Sequence, residues 1–142
     1  RGILVLNSAG NAGNDRWKKI GVPADATDIL TVGAVDSLRR NTLFSSLGNT
    51  ADGRIKPDVM ALGEDAAVFE VDGSIIRVNG TSFSTPILCG LVACLWQAFP
   101  DRRPEEIIDA VRQSADNAGH PDNVYGYGIP DMWKAYQLLD KK

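Results

Sequence analysis

The segment Asn79-Gly80-Thr81-Ser82-Phe83-Ser84-Thr85-Pro86, running directly into Ile87-Leu88-Cys89-Gly90-Leu91-Val92-Ala93-Cys94-Leu95-Trp96, decides how this chain is read. The second half is apolar at every helical angle, and a helix without a polar stripe belongs inside a core. The first half delivers small hydroxyl residues to the start of that helix. Pro86 stands four residues after Ser82, so the Ser82 carbonyl loses its usual amide partner. Ser82 therefore sits at a loosened helix start, where unpaired amides and the helix dipole favour negative charge. Helix capping alone accounts for Thr81 and Ser82, because their hydroxyls satisfy orphan amides. The same place is also complementary to an oxyanion developing beside a reactive serine.

Outward from this helix, the pattern alternates short apolar runs with helical segments. Gly2-Ile3-Leu4-Val5-Leu6-Asn7-Ser8 predicts a buried strand over 3–8, ending in the Gly/Asn turn Ala9-Gly10-Asn11-Ala12-Gly13. Ile29-Leu30-Thr31-Val32-Gly33-Ala34-Val35 predicts a second strand, and residues 58–61 a short third one. Val68-Phe69-Glu70-Val71, Asp72-Gly73 and Ser74-Ile75-Ile76-Arg77-Val78 predict a hairpin with a primed two-residue turn. Helices are expected over 82–98, 104–115 and 131–140. Pro104, Glu105 and Glu106 suit a first turn. Met132, Ala135, Tyr136 and Leu139 recur at helical spacing and should face the core. There is no linker or repeat, and the pattern fits one α/β unit.

The string Gly80-Thr81-Ser82-Phe83-Ser84-Thr85-Pro86 resembles the serine motif of the subtilisin-like serine peptidases, the subtilases. In that family the motif opens the central helix and its serine is the nucleophile, which implies that role for Ser82. Ala9-Gly10-Asn11-Ala12-Gly13 is similar to the family segment whose asparagine amide donates into the oxyanion hole, which implies that role for Asn11. A Gly/Asn loop explains the second segment alone. Both motifs together, in the family's order, are far more specific than either. Ile29 to Asp36, Phe44 to Gly48, Lys56 to Gly63 and Gly126 to Asp131 continue the resemblance over nearly the whole chain. Leu62 departs from it, standing where most members carry proline. The implied fold class is α/β, a partial subtilisin-like three-layer fold with a mainly parallel sheet, flanking helices and a β-hairpin.

Subtilase triads run Asp, His, Ser along the chain, yet Arg1 starts almost on the strand leading to Asn11. The single histidine, His120, follows the serine within Asp116-Asn117-Ala118-Gly119-His120-Pro121-Asp122, a turn context that predicts an exposed loop. The resemblance therefore implies that residues 1–142 form the C-terminal portion of a subtilase catalytic domain. The Asp and His motifs would lie on an N-terminal half that is its partner. Alone, the chain would lack the base that activates Ser82. A non-catalytic pseudo-peptidase and a self-processed piece that rebuilds the site with a partner chain are the competing expectations.

By the same resemblance Ser8, Ala9 and Gly10 would wall the S1 pocket and Gly21 would lie near its base, hinting at a large apolar P1 residue. The expected partner is a polypeptide substrate, and relatives suggest an extracellular or cell-envelope location. No cofactor is expected. Some subtilases hold Ca²⁺ or Na⁺ at the loop matching Asp25 and Asp28, near the aspartate matching Asp58. Turn chemistry explains Asp25 and Asp28 equally well. Trp17, Trp96 and Trp133 are expected to pack, with Trp17 also placed to line a cleft.

A formal net charge of −3 leaves no basic footprint for nucleic acid or an anionic membrane. Gly90 and Gln97 interrupt the apolar helix and Arg102 and Arg103 follow it, so no membrane span is expected. Cys89 and Cys94 lie on one helix at a poor disulfide separation and are expected to be small buried residues.

Overall fold

The computed structural model describes residues 2–141, with strands β1 (Val5–Ser8), β2 (Ile29–Val35), β3 (Val59–Leu62), β4 (Ala66–Phe69) and β5 (Ile75–Val78) and helices α1 (Thr81–Ala98), α2 (Pro104–Ser114) and α3 (Met132–Asp140). Strands β1, β2 and β3 form a parallel sheet in that order, while β4 and β5 form a separate antiparallel pair. Val5 pairs with Ile29 and Ser8 with Val32 on one side of β2, and Val32 pairs with Val59 on the other. Every residue of β2 is buried, as a continuous apolar run at the centre of a parallel sheet requires. β1 forms the edge, with Val5 45% exposed.

Side chains alternate across the sheet. Leu30, Val32, Val59 and Ala61 pack against Leu88, Val92 and Leu95 of α1 and against Ile107, Val111, Ala135 and Leu139 of the two later helices. Thr31, Gly33 and Met60 face loop segments instead: Thr31 Oγ1 donates to the Ala24 carbonyl, and the Met60 sulfur lies under Gly33. The sheet is thus a middle layer between helices and loops. Glu106 closes the start of α2 by accepting from the Arg103 amide at 3.1 Å, and Asp131 caps α3 through the Lys134 amide at 3.0 Å.

Three expectations need correction. The hairpin turn is not primed. The Gly73 amide donates to the Glu70 carbonyl across Val71 and Asp72, and only Gly73 takes positive φ, at 85°. That is a type I turn followed by a left-handed glycine, which leaves a longer loop between Phe69 and Ile75. Helix α1 is not surrounded: Ser84, Leu88, Val92 and Leu95 form one buried stripe, while Ile87 and Leu91 are 42% and 46% exposed. Cys89 and Cys94 fall on that open side and are exposed rather than buried. By length and composition alone, at 18 residues and a mean hydropathy of 1.2, α1 is long and apolar enough to cross a membrane. Its stripe is nevertheless packed on the sheet.

Candidate active site

The site is assembled where the β1 loop meets the start of α1. Thr81 opens α1 and is completely buried. Its backbone amide donates to Asn11 Oδ1 at 2.9 Å, and its hydroxyl donates to the same oxygen at 2.9 Å. Two donors on one oxygen fix which end of the carboxamide is which. The Asn11 amide group must therefore turn the other way, and Nδ2 lies 3.5 Å from where a Cβ on Gly80 would stand. The Gly10 amide completes the link by donating to Thr81 Oγ1 at 3.2 Å.

Ser46 fastens the other side of this loop. Its amide donates to the Gly10 carbonyl at 2.9 Å, and its Oγ accepts from the Ala12 amide at 3.0 Å. Gly10 has φ 101°, and a Cβ there would stand 2.9 Å from Ser46 Oγ, so this position needs glycine twice over. Sequence reasoning missed Thr81 and Ser46 as supports. Their signal was a hydroxyl in each motif, with nothing in the chain to say where it pointed.

Ser82 follows Thr81 and is exposed. No side-chain cap closes the α1 terminus. Ser84 Oγ and Thr85 Oγ1 both donate to the Thr81 carbonyl, whereas Ser82 Oγ has no protein partner among the described residues. Capping is thus not how this hydroxyl is used. Its amide belongs to the first turn, where intrahelical acceptors are lacking.

Two clefts meet at Asn7 and Ser8. One, of about 630 Å³, runs between β1 and α1 and is lined by Leu4, Ser82, Pro86, Cys89 and Ala93. The other, of about 350 Å³, gathers Ser8, Ala9, Gly10, Asn11 and Gly21, bringing all four expected pocket residues together with the asparagine. It also contains Trp17, Lys19 and Val22. Trp17 is 69% exposed, so it lines a cleft and does not pack in the core. Trp133, 66% exposed, stacks on Tyr136, and only Trp96 is part of the packed interior. Lys19 directs its ammonium to the Gly48 carbonyl. His120 is exposed in its turn and lines neither cleft.

The aspartates weighed for a cation are not brought together as ligands. Asp58 is buried and both its oxygens are taken. Oδ2 accepts from the Thr31 amide and the Lys56 ammonium at 2.6 Å each, and Oδ1 accepts from Arg112 Nε at 3.0 Å and Nη2 at 2.6 Å. Burial pushes the Lys56 ammonium below its ordinary range, with Asp58 opposing that shift. Among the described residues no three acidic, histidine or cysteine side chains converge on one point.

A parallel α/β sheet that presents an unbonded serine at a helix start, beside a carboxamide locked for donation, defines a class: serine hydrolases built on an open sheet. Within it, the sequence model of the Subtilase family matches residues 1–128, and the chain belongs to that family. It is 32% identical to Serine protease AprX of Bacillus subtilis (strain 168), over 89% of this chain and 34% of that protein. It is 30% identical to Subtilisin DY of Bacillus licheniformis, over 96% of this chain and 47% of the relative. The self-cleaved protease domain of PatA superposes with a TM-score of 0.81 at 29% identity, over 99% of this chain and 51% of that domain. The chain spans about half, or less, of each of these proteins.

Proposed function

We propose that residues 1–142 are the serine- and oxyanion-bearing C-terminal portion of a subtilisin-type serine endopeptidase catalytic domain. The observation that carries this is the Asn11–Thr81–Ser82 arrangement: a carboxamide fixed by two hydrogen bonds from Thr81, next to a free hydroxyl and a free first-turn amide. Ser82 Oγ attacks the scissile carbonyl, and the tetrahedral oxygen is held between Asn11 Nδ2 and the Ser82 amide. The aspartate and histidine that activate the serine come from an N-terminal portion of the same domain, outside this chain.

The open side of the molecule supports that division. A compact monomer of 15.3 kDa exposes about 7,100 Å², whereas this chain exposes 8128 Å². The bare side of α1 and the free edge of β1 contribute to it, with Ile87, Leu91 and Val5 42%, 46% and 45% exposed. A further parallel strand on β1, with its neighbouring segments over Ile87 and Leu91, would cover both. The relatives, about twice as long or longer, have the chain length to supply it.

The substrate is a polypeptide. Its P1 side chain enters the cleft of Ser8, Ala9, Gly10 and Gly21, whose wall carries no carboxylate and one ammonium, Lys19. Apolar P1 residues fit and Lys or Arg are disfavoured; a preference for basic P1 in a profiling assay refutes this. An extracellular or cell-envelope location goes with the same proposal.

A fluorophosphonate probe on the full-length protein tests the assignment. Labelling that is lost in Ser82→Ala, and absent from the isolated chain until the N-terminal portion is added, is the expected result. Equal labelling of the full-length protein and its Ser82→Ala variant refutes it. Absence of labelling in an intact, folded full-length protein favours the pseudo-peptidase alternative.

A further inference from the structure

Of the three tryptophans, two have their rings held. Trp96 sends its indole N–H to the Arg102 carbonyl at 2.9 Å, and Trp133 stacks on Tyr136. Among the described residues the Trp17 ring has neither kind of partner, and Val22, which lines the same cleft, is 88% exposed. The backbone beneath Trp17 is nevertheless fixed. The Lys19 amide donates to the Trp17 carbonyl at 2.7 Å, the Leu47 amide to the Lys18 carbonyl at 2.9 Å and the Ile20 amide to the Leu47 carbonyl at 2.9 Å. Leu47 follows Ser46, whose bonds hold Gly10 and Ala12. Trp17 is thus mounted on the same strap as the loop that carries Asn11.

Two cavities share this wall. Trp17, Lys19, Gly21 and Val22 line the cleft of Ser8 to Asn11, and they also line a further cavity of about 530 Å³ whose other side is formed by Asn49, Thr50 and Ala51. Gly21 has no side chain, and the Lys19 ammonium is tied to the Gly48 carbonyl. The indole is the large untied part of the partition. Exposed side chains change rotamer within picoseconds to nanoseconds, and this one has space on both sides.

We propose that Trp17 is a specificity-determining residue of the P1 site, a movable partition whose indole packs on the P1 side chain and gives way into the cavity behind it when that side chain is large. The inference rests on the peptidase reading above and narrows its P1 class to aromatic side chains, up to two fused rings, ahead of aliphatic ones. Ring-on-ring contact with an indole is favourable beyond the area it buries. Ser8, Ala9 and Gly10 are small, so the indole sets the width of the cleft. The Lys19 ammonium at the same wall opposes a cationic P1 that an indole face would otherwise attract.

The test compares kcat/KM of the full-length protein on peptides that differ only at P1, carrying alanine, leucine, phenylalanine or naphthylalanine. The wild type is expected to favour both aromatic residues over leucine. Trp17→Ala should lower the phenylalanine-to-leucine ratio about fivefold, and Trp17→Phe should keep most of it. Ala51→Phe fills the rear cavity and leaves the indole no room to retreat. It should lower the naphthylalanine-to-alanine ratio about tenfold and leave the leucine-to-alanine ratio as it was. An unchanged phenylalanine-to-leucine ratio in an active Trp17→Ala overturns the proposal, as does an Ala51→Phe that slows every substrate equally or none. Failure of the peptidase reading itself looks different: no fluorophosphonate labelling and no turnover of any peptide. Binding then decides, through Trp17 fluorescence taken as the difference between the wild type and Trp17→Phe. A saturable shift with the naphthylalanine peptide and none with the alanine peptide supports the partition; equal shifts, or none, overturn it.

Discussion

Replacing Thr81 by valine separates the positioning of Asn11 from its chemistry. The side chains are nearly isosteric, and the site is completely buried, so the change removes a hydroxyl and little else. Two hydrogen bonds go with it. The Gly10 amide loses its acceptor at 3.2 Å, and an orphaned buried donor costs about 1–3 kcal/mol of stability. Asn11 Oδ1 loses the hydroxyl donor but keeps the Thr81 backbone amide at 2.9 Å. One neutral tether is worth roughly 1 kcal/mol net, or about a fivefold change in the share of molecules with the carboxamide aligned. In the full-length enzyme, Thr81→Val should therefore lower kcat about fivefold with KM nearly unchanged. Asn11→Leu, which removes the donor itself, should cost about 10²–10³ in kcat, a magnitude carried over from a subtilisin asparagine. Steady-state kinetics on a peptide substrate, beside urea unfolding of each variant, gives both readouts. An unchanged kcat in a destabilised Thr81→Val would show that the hydroxyl does not orient Asn11. A loss as deep as that of Asn11→Leu would show that the backbone tether alone is worthless. Either result refutes the two-tether account.

Gly126 has φ 59°, and a Cβ there would lie 2.0 Å from the Pro57 carbonyl oxygen. Gly126→Ala should cost more than the roughly 1–2 kcal/mol of left-handed backbone alone, read as a lower denaturation midpoint. Arg54 and then Thr50 hold the Asp52 carboxyl at about 2, below its ordinary 3.8. This stabilising pair is present above pH 3.8 and lost as pH falls towards 2. An NMR titration of Asp52 should show the low value, and Arg54→Met should raise it. The isolated chain should bind a hydrophobic dye such as ANS and self-associate through the α1 face. Adding the N-terminal portion should suppress both. A dye-free monomer would count against the proposed division of the domain.

The elements were legible because their signals are local. The run Ile29–Val35 reads as a strand and is one, and Met132, Ala135, Tyr136 and Leu139 face the core at the spacing the sequence shows. Helix α1 was placed to within a residue. Its surroundings were not, because uniform apolarity states that a helix is meant to be covered without saying what covers it. Cys89 and Cys94 were misplaced for that reason. The hairpin itself was legible, but its first strand lies at Ala66–Phe69 and not at 68–71, and the turn was misread, since Asp-Gly serves both a primed turn and the end of a type I turn. Ser82 and Asn11 stood out only as parts of motifs. The bonds joining the two segments span 70 residues and leave no periodic trace. The Lys56–Asp58–Arg112 cluster was not read from the sequence, and Arg112, 54 residues beyond Asp58, leaves no local signal of it.

The link between Asn11 and Thr81 spans 70 of the chain's 142 residues and is made of bonds that no local segment can form by itself. A helical turn bearing the serine forms from local contacts alone, yet the Asn11–Thr81 bonds beside it do not exist until the β1 loop and α1 have docked. The hydrolytic competence proposed for the full-length protein would thereby be coupled to completion of the tertiary structure.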